Sequence, residues 1–193
     1  MDELNGDGGE TAKHGARGPV RVLIETEQGT IEVAVETVRA PITAANLLRY
    51  VDGGFFDGGQ FHRTVTMENQ PDDAVRIEVI QAGIDPNRTE ERADPIPLER
   101  TSLTGLTHRD GALSMARRTP DSAVSDCFIC IGDQPSLDFG GARNPDGHGF
   151  AAFGHVVRGM EVVRAIQRAP AEGQTLTPPV RILSVRRSPH REL

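Results

Sequence analysis

Phe61-His62-Arg63 places an arginine on a short run that reads as a β-strand, delivered by glycine turns at Gly53-Gly54 and Gly58-Gly59. Downstream it is answered by Gln81, by Gly111-Ala112-Leu113-Ser114-Met115-Ala116 and by Phe128-Ile129-Cys130. Apolar and polar residues alternate on both sides of Glu27-Gln28-Gly29-Thr30, over residues 20–26 and 31–36, the pattern of an opening hairpin. A helix is predicted next: Pro41 opens it, Ala44, Leu47, Leu48 and Val51 share one face, and Gly53-Gly54 close it. Further strands are predicted over 76–83, 112–116, 124–131, 150–157 and 180–186, with a second short helix over 159–167 turning Met160, Val163 and Ile166 inward. About seven strands are clear from this periodicity. The class is mainly β, and strands so spaced, closed by two helices, make an antiparallel barrel whose closure removes exposed edges.

A chain of 193 residues can bury a sizeable single core, and its 21 glycines and 13 prolines fit many tight turns between short strands. With aromatics at only 4 %, that core must rest on Val, Ile, Leu and Ala. A formal charge of −7 argues against a nucleic-acid surface. No apolar run approaches the ~20 residues that a membrane-crossing helix needs. The acidic, glycine-rich start, Met1-Asp2-Glu3-Leu4-Asn5-Gly6-Asp7-Gly8-Gly9-Glu10, has neither a basic segment nor an apolar one of the kind that directs secretion. A cytoplasmic protein is therefore expected, with a removed leader left open. Residues 1–18 read as a disordered arm, 19–188 as one domain and 189–193 as a tail.

Taken in order, Phe61-His62-Arg63, Gln81, the run from Gly111 to Ala116 and Phe128-Ile129-Cys130 resemble the cyclophilin family of peptidyl-prolyl cis/trans isomerases, from about Val20 to Val185. The resemblance implies a closed antiparallel eight-stranded barrel capped by two short helices. It implies proline-containing peptides or unfolded protein clients as partners. No cofactor or metal is called for, and a monomer is expected.

The implied chemistry is rotation about an X-Pro bond, whose partial double-bond character imposes a barrier of roughly 18–20 kcal/mol and makes uncatalysed exchange slow. A catalyst need only favour the twisted state, in which the proline nitrogen leaves resonance and accepts a hydrogen bond. A guanidinium stays charged and holds its donors in a rigid plane. By the resemblance Arg63 takes that role, and Gln81, which both donates and accepts, holds Arg63 and a substrate carbonyl. Phe61, Phe128, Leu137 and Met115 are expected to line or back an apolar seat for the proline ring. Ala116 and Arg117 fall where the family binds substrate backbone, and Phe150 where it carries histidine or another aromatic. His62 has no proton to transfer, since amide rotation needs none.

Several positions depart from the family pattern. Arg63 and Gln81 are 18 positions apart, about ten more than the motif, through an insertion at about 66–76. Counting back three from Gln81 puts Glu78 where a pocket phenylalanine is expected. Either Met67 or another residue of the insertion refills the pocket, or the pocket is wider and more polar. Asp126 replaces a glutamine and is placed to pair with Arg63 or Arg117, Cys127 replaces a phenylalanine, and Ser136 stands where some members carry tryptophan. Strand alternation sends Cys127 and Cys130 to opposite faces, which argues against a disulfide or a shared metal. The loop 133–149 holds Asp138, Asn144, Asp146 and His148 at a spacing that matches no calcium loop. Two other readings remain open at this stage: a catalytically weak peptide-binding or chaperone module on the same barrel, and a metal-dependent hydrolase using His62, Asp146, His148 or His155.

Overall fold

A computed structural model describes residues 18–188; the predicted arm, apart from Gly18, and the predicted tail lie outside the described residues. Strands β1 (Val20–Thr26) and β2 (Gly29–Val35) form the opening hairpin, with Thr26 paired to Gly29. Helix α1 (Pro41–Asp52) follows and buries Ala44, Leu47, Leu48 and Val51, the face that the spacing predicts. Proline at its first turn leaves no missing amide there. Ala40, just before it, has no side chain to cap the exposed amides. Glu99 does so from a distant segment, its carboxylate accepting from the Ile42 and Thr43 amides at 3.1 and 2.7 Å.

The remaining strands are β3 (Gln60–Val65), β4 (Val79–Gly83), β5 (Ala112–Met115), β6 (Cys127–Cys130), β7 (Ala152–Arg158), β8 (Ala171–Glu172) and β9 (Thr175–Arg187). They pair antiparallel in the order β1-β2-β7-β5-β6-β4-β3-β9, and β9 returns to β1. That ring is a closed barrel of eight strands, as the resemblance implies. The two-residue β8 pairs only with β9, as a small hairpin outside the ring. Helix α3 (Met160–Gln167) packs on β2, β3 and β4, and the single turn α2 (Thr101–Thr104) lies in the long connection before β5. No helix among the described residues is long and apolar enough to cross a membrane.

Two apolar clusters arise from the two faces of the same strands. Ile80, Leu113, Met115, Ile129, Phe153 and Phe61 fill the barrel interior, joined by the buried faces of α1 and α3. Val65, Val79, Ala112, Phe128 and Cys130 point outward and join Ile77 and Leu137 in a second, smaller cluster. Strand alternation accounts for this division, and it explains why all four residues of β6 are buried.

The decisive irregularity is on β3. Phe61 pairs with Ala82, but the next paired residue is Arg63, opposite Gln81. Two residues of β3 therefore advance against one of β4, a bulge at His62. In a regular strand Phe61 and Arg63 would share a face. Here Phe61 goes into the barrel while Arg63 goes outside. Gly59 anchors the start of this strand: a Cβ there would sit 2.6 Å from the Gly83 carbonyl and 2.9 Å from the Phe56 carbonyl, so only glycine permits the approach.

Because Phe61 is an interior residue, Phe61→Ala is expected to cost about 3–5 kcal/mol and Phe61→Leu less than about 1.5 kcal/mol. Urea unfolding followed by circular dichroism measures both. Equal midpoints for Phe61→Ala and wild type would show that the ring is not part of the core.

Candidate active site

Outward residues of β3, β4 and β6, with Ala116 just after β5, floor a groove of about 540 Å³. Arg63 stands at its edge. Its Nη1 donates to Gln81 Oε1 at 3.0 Å, and its Nε and Nη2 donate to Gln174 Oε1 at 2.9 and 2.7 Å. A guanidinium has five N–H donors, so two remain uncommitted. Both partners are neutral amides, and among the described residues Arg63 makes no ion pair. Burial, followed by the neighbouring Arg143 guanidinium, pulls the Arg63 pKa down from the ordinary arginine value, with Asp73 partly opposing. The result is a half-buried cation whose charge no carboxylate contact compensates.

The apolar wall of the groove is made by Phe128, Leu137, Phe150, Val79 and Ile77. Phe150 meets Phe128 edge-on with centroids 5.5 Å apart, and the His108 ring stacks on Phe128 at 6.0 Å. His108 is itself fixed, Nδ1 lying 2.7 Å from Asp138 Oδ1 and Nε2 2.9 Å from Ser114 Oγ. The order Ser114, His108, Asp138 has the polarity of a hydrolytic triad, but Ser114 is 0 % exposed, under the Phe128 ring that His108 stacks on. No acyl group reaches it, so the network serves to hold Phe128.

The structure brings Arg63, Gln81, Ala116, Arg117, Phe128, Leu137 and Phe150 together around one groove. It does not bring Phe61 or Met115 there. Both lie in the barrel interior, Met115 opposite Cys127 on the inward face of β5. Met67 does not fold back to refill the pocket. Met67 is 44 % exposed, and the Glu78 carboxylate turns away to accept from Gln167 Nε2 at 2.8 Å. Ile77, immediately after the insertion, fills the wall instead. It is held by the buried Gln70 side chain, whose Oε1 accepts from the Ile77 amide and whose Nε2 donates to the Ile77 and Thr66 carbonyls.

Asp126 pairs with neither Arg63 nor Arg117. It lies 3.1 Å from His62 Nε2 and 3.8 Å from Arg92, and it accepts from Gln81 Nε2 at 3.2 Å. Burial is the largest single influence and pushes its pKa up, yet His62, Gln81 and Arg92 together outweigh it and leave the carboxyl below its ordinary value. Asp126 thereby orients the Gln81 amide, oxygen toward Arg63. Arg117 packs its guanidinium over Phe150 and donates to the Gly149 carbonyl and to Asp146, with its side chain only 1 % exposed.

The residues of the hydrolase reading do not converge: His62 lies with Asp126, Asp146 with Arg117 and with the His148 backbone amide, and His155 on β7 opposite Ala34. Among the described residues no three His, Cys, Asp or Glu side chains cluster to hold a metal. Cys127 and Cys130 face opposite sides of β6, both unpaired, and burial drives the Cys127 thiol up to about 12 and Cys130 higher still.

Residues 21–187 match the family described as "Cyclophilin type peptidyl-prolyl cis-trans isomerase/CLD". The chain belongs to the cyclophilin family. Peptidyl-prolyl cis-trans isomerase A of Dickeya dadantii is 34 % identical over 152 residues, which cover 78 % of this chain and 73 % of that protein. A peptidyl-prolyl cis-trans isomerase of Acinetobacter baylyi is 34 % identical over 170 residues, 85 % of this chain and 83 % of that one. A Cryptosporidium parvum cyclophilin-type isomerase shares the fold, with a TM-score of 0.71 at 20 % identity over 90 % of this chain and 99 % of its own. A second structure of that protein was determined in the presence of the dipeptide Ala-Pro, and this chain matches it with a TM-score of 0.70 at 20 % identity, over 88 % of this chain and 99 % of that one.

In this cyclophilin, sequence reasoning missed Gln174, Ile77, Gln70 and Asn69. Gln174 sits in the β8–β9 turn, where its Nε2 donates to the Asn69 carbonyl, while Asn69 Nδ2 donates to the Thr64 and Gly173 carbonyls. The insertion is thus stitched to the turn that holds Arg63. A polar pair closing the neck of the insertion, Asn69-Gln70, was the one available signal, and it names no partner.

Gln174→Ala removes two of the three hydrogen bonds that position Arg63. Isomerase kcat is expected to fall roughly 10- to 100-fold with KM nearly unchanged, and Gln174→Glu, which keeps the acceptor, recovers part of the rate. Unaltered kcat in both variants would show that Arg63 needs no such support. A second test concerns pH. The hydrogen bond from Arg117 holds Asp146 down from 3.8 to about 2, so this contact stabilises the folded state above pH ~4 and is lost as acid protonates Asp146. The stability difference between wild type and Asp146→Asn should be constant above pH ~5 and shrink between pH ~4 and ~2, as read by urea unfolding across that range.

Proposed function

We propose that this chain accelerates rotation about X-Pro bonds in peptides and folding proteins, with Arg63 stabilising the twisted amide. The isomerase assignment comes with the family. The residue-level reading rests on one observation: a guanidinium held by two neutral side-chain amides, with donors to spare, at the edge of an apolar groove. The ring of a bound proline would seat among Phe128, Leu137, Phe150, Ile77 and Val79, clamping one side of the bond. As rotation proceeds, the nitrogen lone pair localises and meets a free N–H of Arg63. That hydrogen bond exists only near the transition state, so it lowers the barrier rather than the ground state. Gln81, oriented by Asp126, keeps the guanidinium plane in place and retains one amide hydrogen for a substrate carbonyl. Ala116 and Arg117 would receive the substrate backbone.

No bond is made or broken, so the site needs no nucleophile, and His62 has an electrostatic role toward Asp126 instead. Arg63→Ala should lower kcat/KM on a short X-Pro peptide about 10²- to 10³-fold. Arg63→Lys should restore little of it, because an ammonium lacks the planar fork that both glutamines grip. Wild-type and Arg63→Ala rates that are equal and near background would favour a peptide-binding module that has lost catalysis.

A further inference from the structure

The groove reverses the charge of the molecule around it. The chain as a whole carries −7, yet five guanidiniums line this groove, those of Arg63, Arg92, Arg117, Arg118 and Arg143, against one carboxylate, Asp126. Most of them are occupied. Arg117 is bound by Asp146 and the Gly149 carbonyl, Arg143 by Asp73 and the Val75 carbonyl, and Arg92 faces Asp126. Arg63 is held for the amide nitrogen. That leaves Arg118, which is exposed and whose guanidinium has no ion-pair or hydrogen-bond partner among the described residues. Its backbone is nevertheless fixed: the Arg118 and Thr119 amides both donate to Ser122 Oγ, and Ser122 Oγ donates to the Thr119 carbonyl. The nearby Asp121 carboxylate is taken by the Leu98 amide.

Arg118 also lies at a defined end of the groove. Val124, Ser125 and Asp126 precede β6, whereas the apolar seat surrounds Phe128 and continues toward Val79, which pairs with Cys130. The Ala116 amide donates to the Asp126 carbonyl, so the backbone leading to Arg118 runs beside the start of β6. Seat and Arg118 line one groove, so the residues that flank a seated proline run toward this end, with two extended residues reaching at most ~7 Å.

We propose that the groove selects proline peptides carrying an Asp or Glu side chain within two residues of the proline, with that carboxylate received by Arg118. This rests on the isomerase reading of the same groove and adds a substrate class to it. Asp126 does not oppose it, because His62, Gln81 and Arg92 already engage that anion. An ion pair at a partly open site is screened by salt, so the preference carries its own ionic-strength signature.

The test uses short X-Pro peptides with Glu, Gln or Lys two residues before or two residues after the proline, assayed with wild type and Arg118→Glu. With wild type in about 20 mM salt, a Glu peptide should exceed its Lys counterpart in kcat/KM by roughly three- to ten-fold on at least one side of the proline. The gap should close to about two-fold or less in about 0.5 M salt, and Arg118→Glu should reverse it. Glu and Lys peptides that stay within about two-fold of one another at low salt would overturn the proposal, as would a preference that Arg118→Glu leaves intact. Binding of the same peptides, labelled and followed by fluorescence anisotropy, is measured alongside. Absence of turnover on every peptide then counts against the isomerase reading, while the affinities still decide the charge preference.

Discussion

A single unpaired step in one strand decides what this barrel presents to solvent. By advancing two residues of β3 against one of β4, the bulge at His62 sends Phe61 into the interior and Arg63 to the outside, opposite Gln81. Without it, a guanidinium would share the face of a phenylalanine that is 2 % exposed. A buried, unpaired cation costs several kcal/mol, so the regular strand is not an alternative for this sequence. Placed outside, the same cation finds two amide oxygens and keeps its charge available.

The second constraint is that the sheet is apolar on both faces only where β3, β4, β5 and β6 lie side by side. Their inward residues belong to the barrel core, and their outward ones would be exposed hydrophobics were it not for Leu137, Phe150 and Ile77 closing over them. The outer cluster is left incomplete on the side of Arg63, and that gap is the groove. Site and fold share their side chains here: Phe128 belongs to the outer cluster and also lines the groove, and the buried His108 that stacks on it is tied at both ring nitrogens.

How much of this was legible follows from the range of each interaction. The opening hairpin, α1 and α3 were read from local periodicity, and Arg63, Gln81 and Phe128 from a motif whose members are cross-strand neighbours. Strand alternation also read Cys127 and Cys130 correctly as facing apart. Phe61, expected to line or back the seat, lies in the barrel interior instead, because a bulge leaves no mark in a run of three residues. Met115 was misassigned since the motif run Gly111 to Ala116 crosses both faces of β5. Gln174 was invisible: it lies 111 positions from Arg63, and nothing in the run Glu172-Gly173-Gln174 distinguishes a turn glutamine from a surface one. The predicted start of β4 at residue 76 was early because Ile77 and Glu78 precede the ladder, and Glu78, three positions before Gln81, turns its carboxylate to Gln167 while Ile77 joins the wall.

The departures from the family pattern compensate one another. Lengthening the connection after β3 would, by itself, add loop entropy next to the Arg63 cation and leave the wall open. Gln70 counters the second effect by making three hydrogen bonds across the neck of the insertion, which pins Ile77 in the apolar wall. Asn69 counters the first by binding the β8–β9 turn, so that Gln174 grips Arg63 from the side opposite Gln81. Asp126 completes the arrangement. A glutamine at that position would offer Gln81 a neutral partner of ambiguous orientation, whereas a carboxylate can only accept, and it therefore forces the Gln81 amide nitrogen toward itself and the oxygen toward Arg63. The anion that the sequence places in the groove thus acts on the Arg63 cation through an intervening amide, without neutralising it.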